Sequence, residues 1–227
     1  MKSISVVICA YNEENNVQGV ILDTVNLLEK NSIDYEIIVI DDGSIDGTLK
    51  KIEELAAANG NIRVIVHKEN QGMGMALLHG FEASGKEWVT FLPADGQIAP
   101  DDVISLARHM DDHNMVVSYY LERKSSFYRR ITSGGIRFLY FIFFGPLPRL
   151  DGTYMFERRM LTSISLKMVK SFFINYEFLI KAKRMSYKIK EIPTVCLERK
   201  SGASKVSSLR KVFFVLCQII EFRFKYY

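Results

Sequence analysis

The sequence predicts an α/β protein built on a mostly parallel sheet with flanking helices, and three observations predict it. Short apolar runs rich in β-branched residues, Ile4 to Ala10 and Glu36 to Ile40, are too short for helices and read as strands buried on both faces. Between such runs lie stretches with helical spacing of apolar residues, which implies crossover connections and parallel strands. Polar residues erupt where each run stops, and in an open parallel sheet ligands sit beyond the carboxyl ends of the strands.

The elements follow in order. After the first strand, Val17, Val20, Ile21, Val25, Leu27 and Leu28 space an amphipathic helix between Asn16 and Lys30. Asp46 is placed to cap a helix from Thr48 to Ala58, which Asn59-Gly60-Asn61 ends. Ile62 to His67 reads as a third strand, and the loop Lys68 to Gly74 leads to a helix from Met75 to Ser84. Trp88 to Leu92 is a fourth strand, and the loop Pro93 to Pro100 precedes a helix from Asp101 to Asp111. The second half is less regular. Strands are expected at Met115 to Tyr120, at Tyr154 to Glu157, and from Tyr187 to Glu198 with an interruption at Pro193. Helices are expected at Phe127 to Phe144, Asn175 to Met185 and Ser207 to Tyr227.

At 227 residues, 48% of them hydrophobic, the chain suits one compact domain with an elaboration. Residues 1–205 are expected to form that domain, divided at 115 into two halves, with 206–227 a C-terminal amphipathic helix. Cys9, Cys196 and Cys217 lie far apart in apolar runs, without metal spacing, and read as buried free thiols of a reducing compartment. Lys2 is followed at once by a core-like strand, so no secretory signal is expected. The net charge of +4 conceals a division. Residues 1–115 carry 19 acids and 8 bases, whereas 116–227 carry 7 acids and 22 bases. The second half is therefore expected to face an anion or an anionic membrane surface.

Three loops carry the chemistry. Asp41-Asp42-Gly43-Ser44 ends the second strand, where a carboxylate can accept from a nucleobase N–H or a ribose hydroxyl; a capping turn with solvated acids is the plain alternative. Gly72 and Gly74 precede a helix whose amides can approach an anion or a nucleoside. Ala94-Asp95-Gly96-Gln97 offers hard oxygen ligands for a divalent cation bridging a diphosphate.

The stretches ISVVICAYNEENNV (4–17), EIIVIDDGSIDGT (36–48), ENQGMGMALLHGFEASG (69–85) and LPADGQIAPDDV (92–103) together resemble the family 2 inverting glycosyltransferases with the GT-A fold. Within them the chain resembles the dolichyl- and polyprenyl-phosphate mannosyl- or glucosyltransferases. The resemblance implies that Ala10, Tyr11, Glu13, Asp41, Asp42, Gly72, Gly74, Ala94 and Asp95 line the pocket of a nucleoside-diphosphate sugar. It implies Mg²⁺ or Mn²⁺ on Asp95 and Gln97, although Pro93 stands where the family's metal motif has its first acid. Arg129 matches a basic position near the transferred sugar, and Arg199, Ser204 and Lys205 match a clamp for the acceptor phosphate. The branch's arginine after the strand near position 117 is missing from Val117-Ser118-Tyr119, unless Arg123 substitutes. Asp151 and Glu177 are candidates for the base that would serve a hydroxyl acceptor, with ion pairing to nearby cations as the alternative.

The resemblance thus implies transfer to a polyprenyl phosphate at a cytoplasmic membrane face, without nucleic acid as a partner. The alternatives are transfer to a sugar hydroxyl of a glycan, or a non-catalytic binder of nucleotide sugars. Residues 136–147 and 212–220 are apolar but too short to span a bilayer, which takes roughly 20 residues. They fit interfacial helices, a docking surface for a small membrane protein, or ordinary core packing.

Overall fold

The computed structural model describes residues 3–121, 127–195, 197 and 209–227, with side chains for all of these except 127–133 and 209–213. Seven strands form one sheet: β1 (Ser3–Ala10), β2 (Asp34–Asp41), β3 (Ile62–Val66), β4 (Trp88–Pro93), β5 (Met115–Tyr120), β6 (Tyr154–Glu157) and β7 (Ile189–Thr194). Their order is β3-β2-β1-β4-β6-β5-β7. Every neighbouring pair is parallel except the two that β6 makes, which are antiparallel. The carboxyl ends of all the parallel strands therefore share one edge with the amino end of β6. That edge gathers residues 10–14, 41–48, 67–74, 93–97, 119–121, 151–153, 194, 195 and 197.

Among the described residues there are eight helices: α1 (Val17–Lys30), α2 (Thr48–Ala58), α3 (Met73–Ala83), α4 (Asp101–Ala107), α5 (Phe127–Phe144), α6 (Met160–Ser163), α7 (Phe173–Arg184) and α8 (Leu209–Lys225). The uninterrupted apolar runs of β1 and β2 have one reason: residues of both faces are buried. On one face Val6, Ile8, Ile37 and Val39 pack with Val17, Ile21, Val25 and Leu28 of α1 and with Val103 and Leu106 of α4. On the other, Val7, Ile38 and Ile40 meet Leu77 and Phe81 of α3 and Phe178 of α7. Burying a side chain such as Phe81, fully enclosed, contributes about 1.5–3 kcal/mol. A third cluster joins Tyr140 and Phe144 of α5, Phe173 and Ile180 of α7, and Ile219 and Phe222 of α8.

Several boundaries differ from the sequence expectations for identifiable reasons. Strand β7 runs through Pro193, paired in register with Tyr119, because β7 is an edge strand with one unpaired side, where a missing N–H is tolerated. Helix α3 starts at Met73 rather than Met75, so Gly74 lies inside its first turn. Helix α4 stops at Ala107, short of Asp111. Gly47 rather than Asp46 occupies the α2 cap position, but the Asp46 carboxylate still accepts the Thr48 amide at 3.0 Å. Cys217 is exposed rather than buried, because it shares the outer stripe of α8 with Phe214, Ile220 and Phe224. Cys9 is enclosed enough that burial pushes its thiol pKa far up, so it is inert at neutral pH. Cys196 lies outside the described residues.

Candidate active site

The first two loops are built into one another. Asn12 takes the left-handed conformation (φ 53°), which a short polar side chain tolerates. Its amide donates to Ser44 Oγ at 3.0 Å, and its side-chain oxygen accepts the Ile45 amide at 2.9 Å. Glu13 N–H donates to Thr48 Oγ1 at 2.8 Å, and Glu14 Oε2 accepts the Gly47 amide at 2.9 Å. These reciprocal bonds fix Ala10, Tyr11 and Glu13 against the loop that carries Asp41 and Asp42. Glu13 is partly engaged, accepting from Asn16 Nδ2 at 2.7 Å.

Asp41 and Asp42 are both buried but do different things. Asp41 Oδ2 accepts the Ser44 amide at 3.1 Å, while its buried Oδ1 has no hydrogen-bond partner. A buried acceptor left unmade is costly, on the order of 1–3 kcal/mol, and such an atom at a sheet edge invites a ligand donor. Asp42 has no such vacancy. Its carboxylate accepts from the Gln71 and Gly72 amides, both at 2.9 Å, and from His67 Nδ1 at 2.7 Å. The chain closes over it because Gly43 (φ +72°) brings residues 69–70 to where a Cβ would meet Glu69 C at 2.6 Å. Asp42 thus holds the glycine loop, a role that the sequence expectation of a pocket-lining acid missed.

Gly72 (φ +89°) starts α3, and Gly74 packs so closely on the 169–171 segment that a Cβ would lie 2.2 Å from Val169 O. That segment is in turn pinned by Glu177, which is fully buried on α7. Its carboxylate accepts the Lys167 and Met168 amides at 2.9 and 2.7 Å and pairs with Lys181 Nζ at 2.6 Å. Glu177 is therefore committed to structure. The expectation of a base there is corrected: a carboxylate with no exposure and charged and amide partners cannot reach an acceptor hydroxyl.

Asp95 and Gln97 come together on a single turn. Gly96 has φ +70°, and Asp95 Oδ1 accepts the Gln97 amide at 3.0 Å. Ala94 is buried behind them, its amide donating to Cys9 O at 3.0 Å. Among the described residues no group of three or more His, Cys, Asp and Glu converges as a metal cluster. The donors on the turn, one carboxylate and one amide oxygen, suit a hard cation that takes its remaining ligands from a diphosphate and water.

Across the edge, Asp151 precedes β6 and is tied to β5 by amide bonds from Asp151 and Gly152 to Ser118 O, both at 3.1 Å. Its carboxylate pairs with Arg137 of α5 at 2.6 Å, which draws α5 over this side of the crevice. Arg149, which sequence reasoning missed, lies with its guanidinium 4.2 Å from the Tyr119 ring centroid, beside the position where the family arginine is absent. The Leu197 amide donates to Gln97 O at 3.0 Å, so residue 197 lies against the Asp95 turn. Arg123, Arg199, Ser204 and Lys205 lie outside the described residues, as does the Arg129 side chain. A cavity of about 590 Å³ lined by Phe81, Lys86, Glu157 and Arg158 sits at the opposite edge of the sheet. Its rim charges Lys86 and Arg159 are spent on Asp34 and Glu157, and it is remote from these loops.

The model of glycosyl transferase family 2 matches residues 5–167, well over half of the chain. The chain belongs to that family. Its fold is the GT-A fold, as solved structures also show. Glucosyl-3-phosphoglycerate synthase from Mycobacterium tuberculosis, in complex with Mn²⁺, uridine diphosphate and glucosyl-3-phosphoglycerate, superposes with a TM-score of 0.73 at 24% identity, over 98% of this chain and 80% of that one. A second structure of that synthase gives a TM-score of 0.71 at 25% identity, over 96% and 78%. Among curated proteins, the undecaprenyl-phosphate 4-deoxy-4-formamido-L-arabinose transferase of Aeromonas hydrophila is 33% identical over 135 residues. That match covers 59% of this chain and 41% of the relative, so the chain spans less than half of that relative's length.

Proposed function

We propose that this glycosyltransferase moves a sugar, with inversion, from a nucleoside diphosphate to the phosphate of a polyprenyl lipid at the cytoplasmic face of a membrane. The donor half of that reading is carried by the buried, unpartnered Asp41 Oδ1 above an already assembled floor. An ionised carboxylate accepts only, so it suits a base that presents an N–H, as uracil and guanine do and cytosine does not at its ring nitrogen. Tyr11 borders the base, and the Gly72–Gly74 segment wraps the donor. Asp95 and Gln97 would hold Mg²⁺ or Mn²⁺, which when bound offsets charge on the departing diphosphate; the M. tuberculosis synthase was crystallised with Mn²⁺ and uridine diphosphate. The acceptor oxygen attacks the anomeric carbon opposite the leaving group, forming the new C–O bond as the bond to the diphosphate breaks.

The acceptor half draws on three supports. The curated relative is named for undecaprenyl phosphate, and the structural neighbour was crystallised with phosphoglyceric acid, so a phosphate-bearing molecule stands beside each. The second half of the chain is basic, with 22 bases against 7 acids. Helices α5 and α8 bury one face in the third cluster and expose another: Phe138, Phe141 and Ile142 on α5, and Phe214, Ile220 and Phe224 on α8. No helix among the described residues is long and apolar enough to cross a membrane. An exposed aromatic stripe beside basic residues suits an interfacial helix. We assign Arg129, Arg199, Ser204 and Lys205 to the acceptor phosphate. A phosphate is ionised at neutral pH and needs no base, which fits Glu177 being spent and Asp151 being paired with Arg137.

Incubation with uridine- and guanosine-diphosphate sugars, Mn²⁺ and undecaprenyl phosphate in vesicles, against a soluble glycan acceptor, tests this. Lipid-linked sugar is the expected product. Turnover on the glycan hydroxyl alone would reject the lipid acceptor.

A further inference from the structure

Behind the glycine loop runs a chain of three side chains, Asp42 and His67 buried and His79 partly so, that no part of the transfer reaction yet uses. Asp42 and His67 have side chains only 5% and 4% exposed, and Asp42 Oδ1 lies 2.7 Å from His67 Nδ1. His67 Nε2 lies 2.9 Å from His79 Nδ1, with the two rings edge to face at 87°. The chain spans three elements. Asp42 follows β2; His67 follows the edge strand β3, its amide bonded to Asp41 O at 2.9 Å; His79 lies on α3.

The donor inventory fixes the direction of each bond. Two backbone amides already donate to the Asp42 carboxylate, so Asp42 is an acceptor and His67 Nδ1 carries the hydrogen. A neutral His67 then has a bare Nε2, which accepts from His79 Nδ1–H. This assignment comes from the network rather than from observed hydrogens. Its consequence is geometric. The carboxylate could turn about its own bonds if only the two loop amides held it; the imidazole on its other side stops that, and α3 stops the imidazole.

We infer that His67 is a positioning residue for donor binding: through Asp42 it holds the Gln71 and Gly72 amides where the nucleoside diphosphate must lie, with His79 selecting its tautomer. This rests on the donor site proposed above, and it adds a residue that never touches the substrate. A third side of the same loop is closed by Gly74 against Val169 O and Ser171 O, so loss of the histidine leaves the loop attached but free to shift.

Two substitutions divide the imidazole between its nitrogens. His67→Asn keeps an N–H near the Nδ1 position and loses the reach to His79; His67→Gln keeps a group near Nε2 and loses the bond to Asp42. Calorimetry on the full chain with uridine diphosphate and guanosine diphosphate, with Mn²⁺, is the binding readout. His67→Gln is expected to bind the preferred nucleotide about tenfold more weakly and to raise the donor KM alike, with acceptor KM unchanged. His67→Asn should stay within about threefold of wild type, since it restores the bond to Asp42. Equal losses in both variants, or none in His67→Gln, overturn the inference while leaving the donor site standing. Wild type binding neither nucleotide overturns the donor site and this inference together. Should His67→Gln fail to fold, nitrogen NMR of the wild-type histidines decides: a proton on Nδ1 and a bare Nε2 for His67 support the inference, and the opposite tautomer overturns it.

Discussion

The proposed donor and acceptor sides of the crevice are built on opposite plans. On the proposed donor side, loops at 10–14, 41–48 and 69–74 lock together through side chains that bond each other's backbones, and Asp41 and Asp42 of the second loop are both buried. On the acceptor side, α5 and α8 are held by aromatic packing, Tyr140 stacked on Tyr176 at 4.4 Å and Phe144 against Phe222 at 5.7 Å, while apolar side chains face outward. The difference teaches where each ligand comes from. On the proposed reading a soluble nucleotide would meet a site whose bonds are already made, which limits the ordering cost of binding. The apolar faces of α5 and α8 remain to be covered, and a lipid surface would do it.

The comparison can be broken most severely at Asp95. Asp95→Ala should lower turnover by about a hundredfold or more while a metal-independent residue of nucleotide binding survives, measured by steady-state kinetics and calorimetry. Next is the interlock itself. Gly74→Ala forces a Cβ to within 2.2 Å of a backbone carbonyl, and should cost about 3 kcal/mol or more in denaturant unfolding. The same measurement on Phe222→Ala, a fully buried ring, should show a loss of about 3–5 kcal/mol, whereas Phe224→Ala, 80% exposed on the same helix, should stay within about 0.5 kcal/mol. Phe224→Ala combined with Phe138→Ala should nonetheless weaken sedimentation with anionic vesicles; unchanged sedimentation would remove the membrane from the account.

The smallest effect concerns Asp102, whose carboxyl pKa is raised by burial, against the lowering effect of the Thr194 hydroxyl 2.6 Å away. A carboxyl with a folded pKa above its unfolded value favours folding at low pH, and that contribution is lost as pH rises through the folded pKa. Asp102→Asn should therefore be slightly more stable than wild type at neutral pH, the gap closing in acid, as thermal melts at two pH values would show.

The framework under the proposed donor side was legible in the sequence, because strand runs end in polar residues at the same edge and the chain states both in order. Ile4 to Ala10 and Glu36 to Ile40 read as doubly buried strands, which they are. What each acid does there was not legible. Asp41 and Asp42 are neighbours with the same chemistry, and only the fold of Gly43 and the arrival of His67 separate an open acceptor from a filled one. His67 and His79 gave no signal as a pair, since strand and helix bring them together across a loop. Glu177 was half legible: the alternative of an ion pair with a nearby cation is met by Lys181 four residues on, but its other partners are backbone amides ten and nine residues away, invisible to any pattern of side chains. The antiparallel β6 and the approach of Arg149 to Tyr119 likewise depend on pairing that the local sequence does not carry.

The most direct test is a crystal structure with uridine or guanosine diphosphate and Mn²⁺ bound. A base N–H on Asp41 Oδ1, with the cation between Asp95 and the diphosphate, is the result expected. A nucleotide bound elsewhere, or Asp41 Oδ1 still without a donor while the nucleotide is in place, would contradict the assignment of this crevice to the sugar donor.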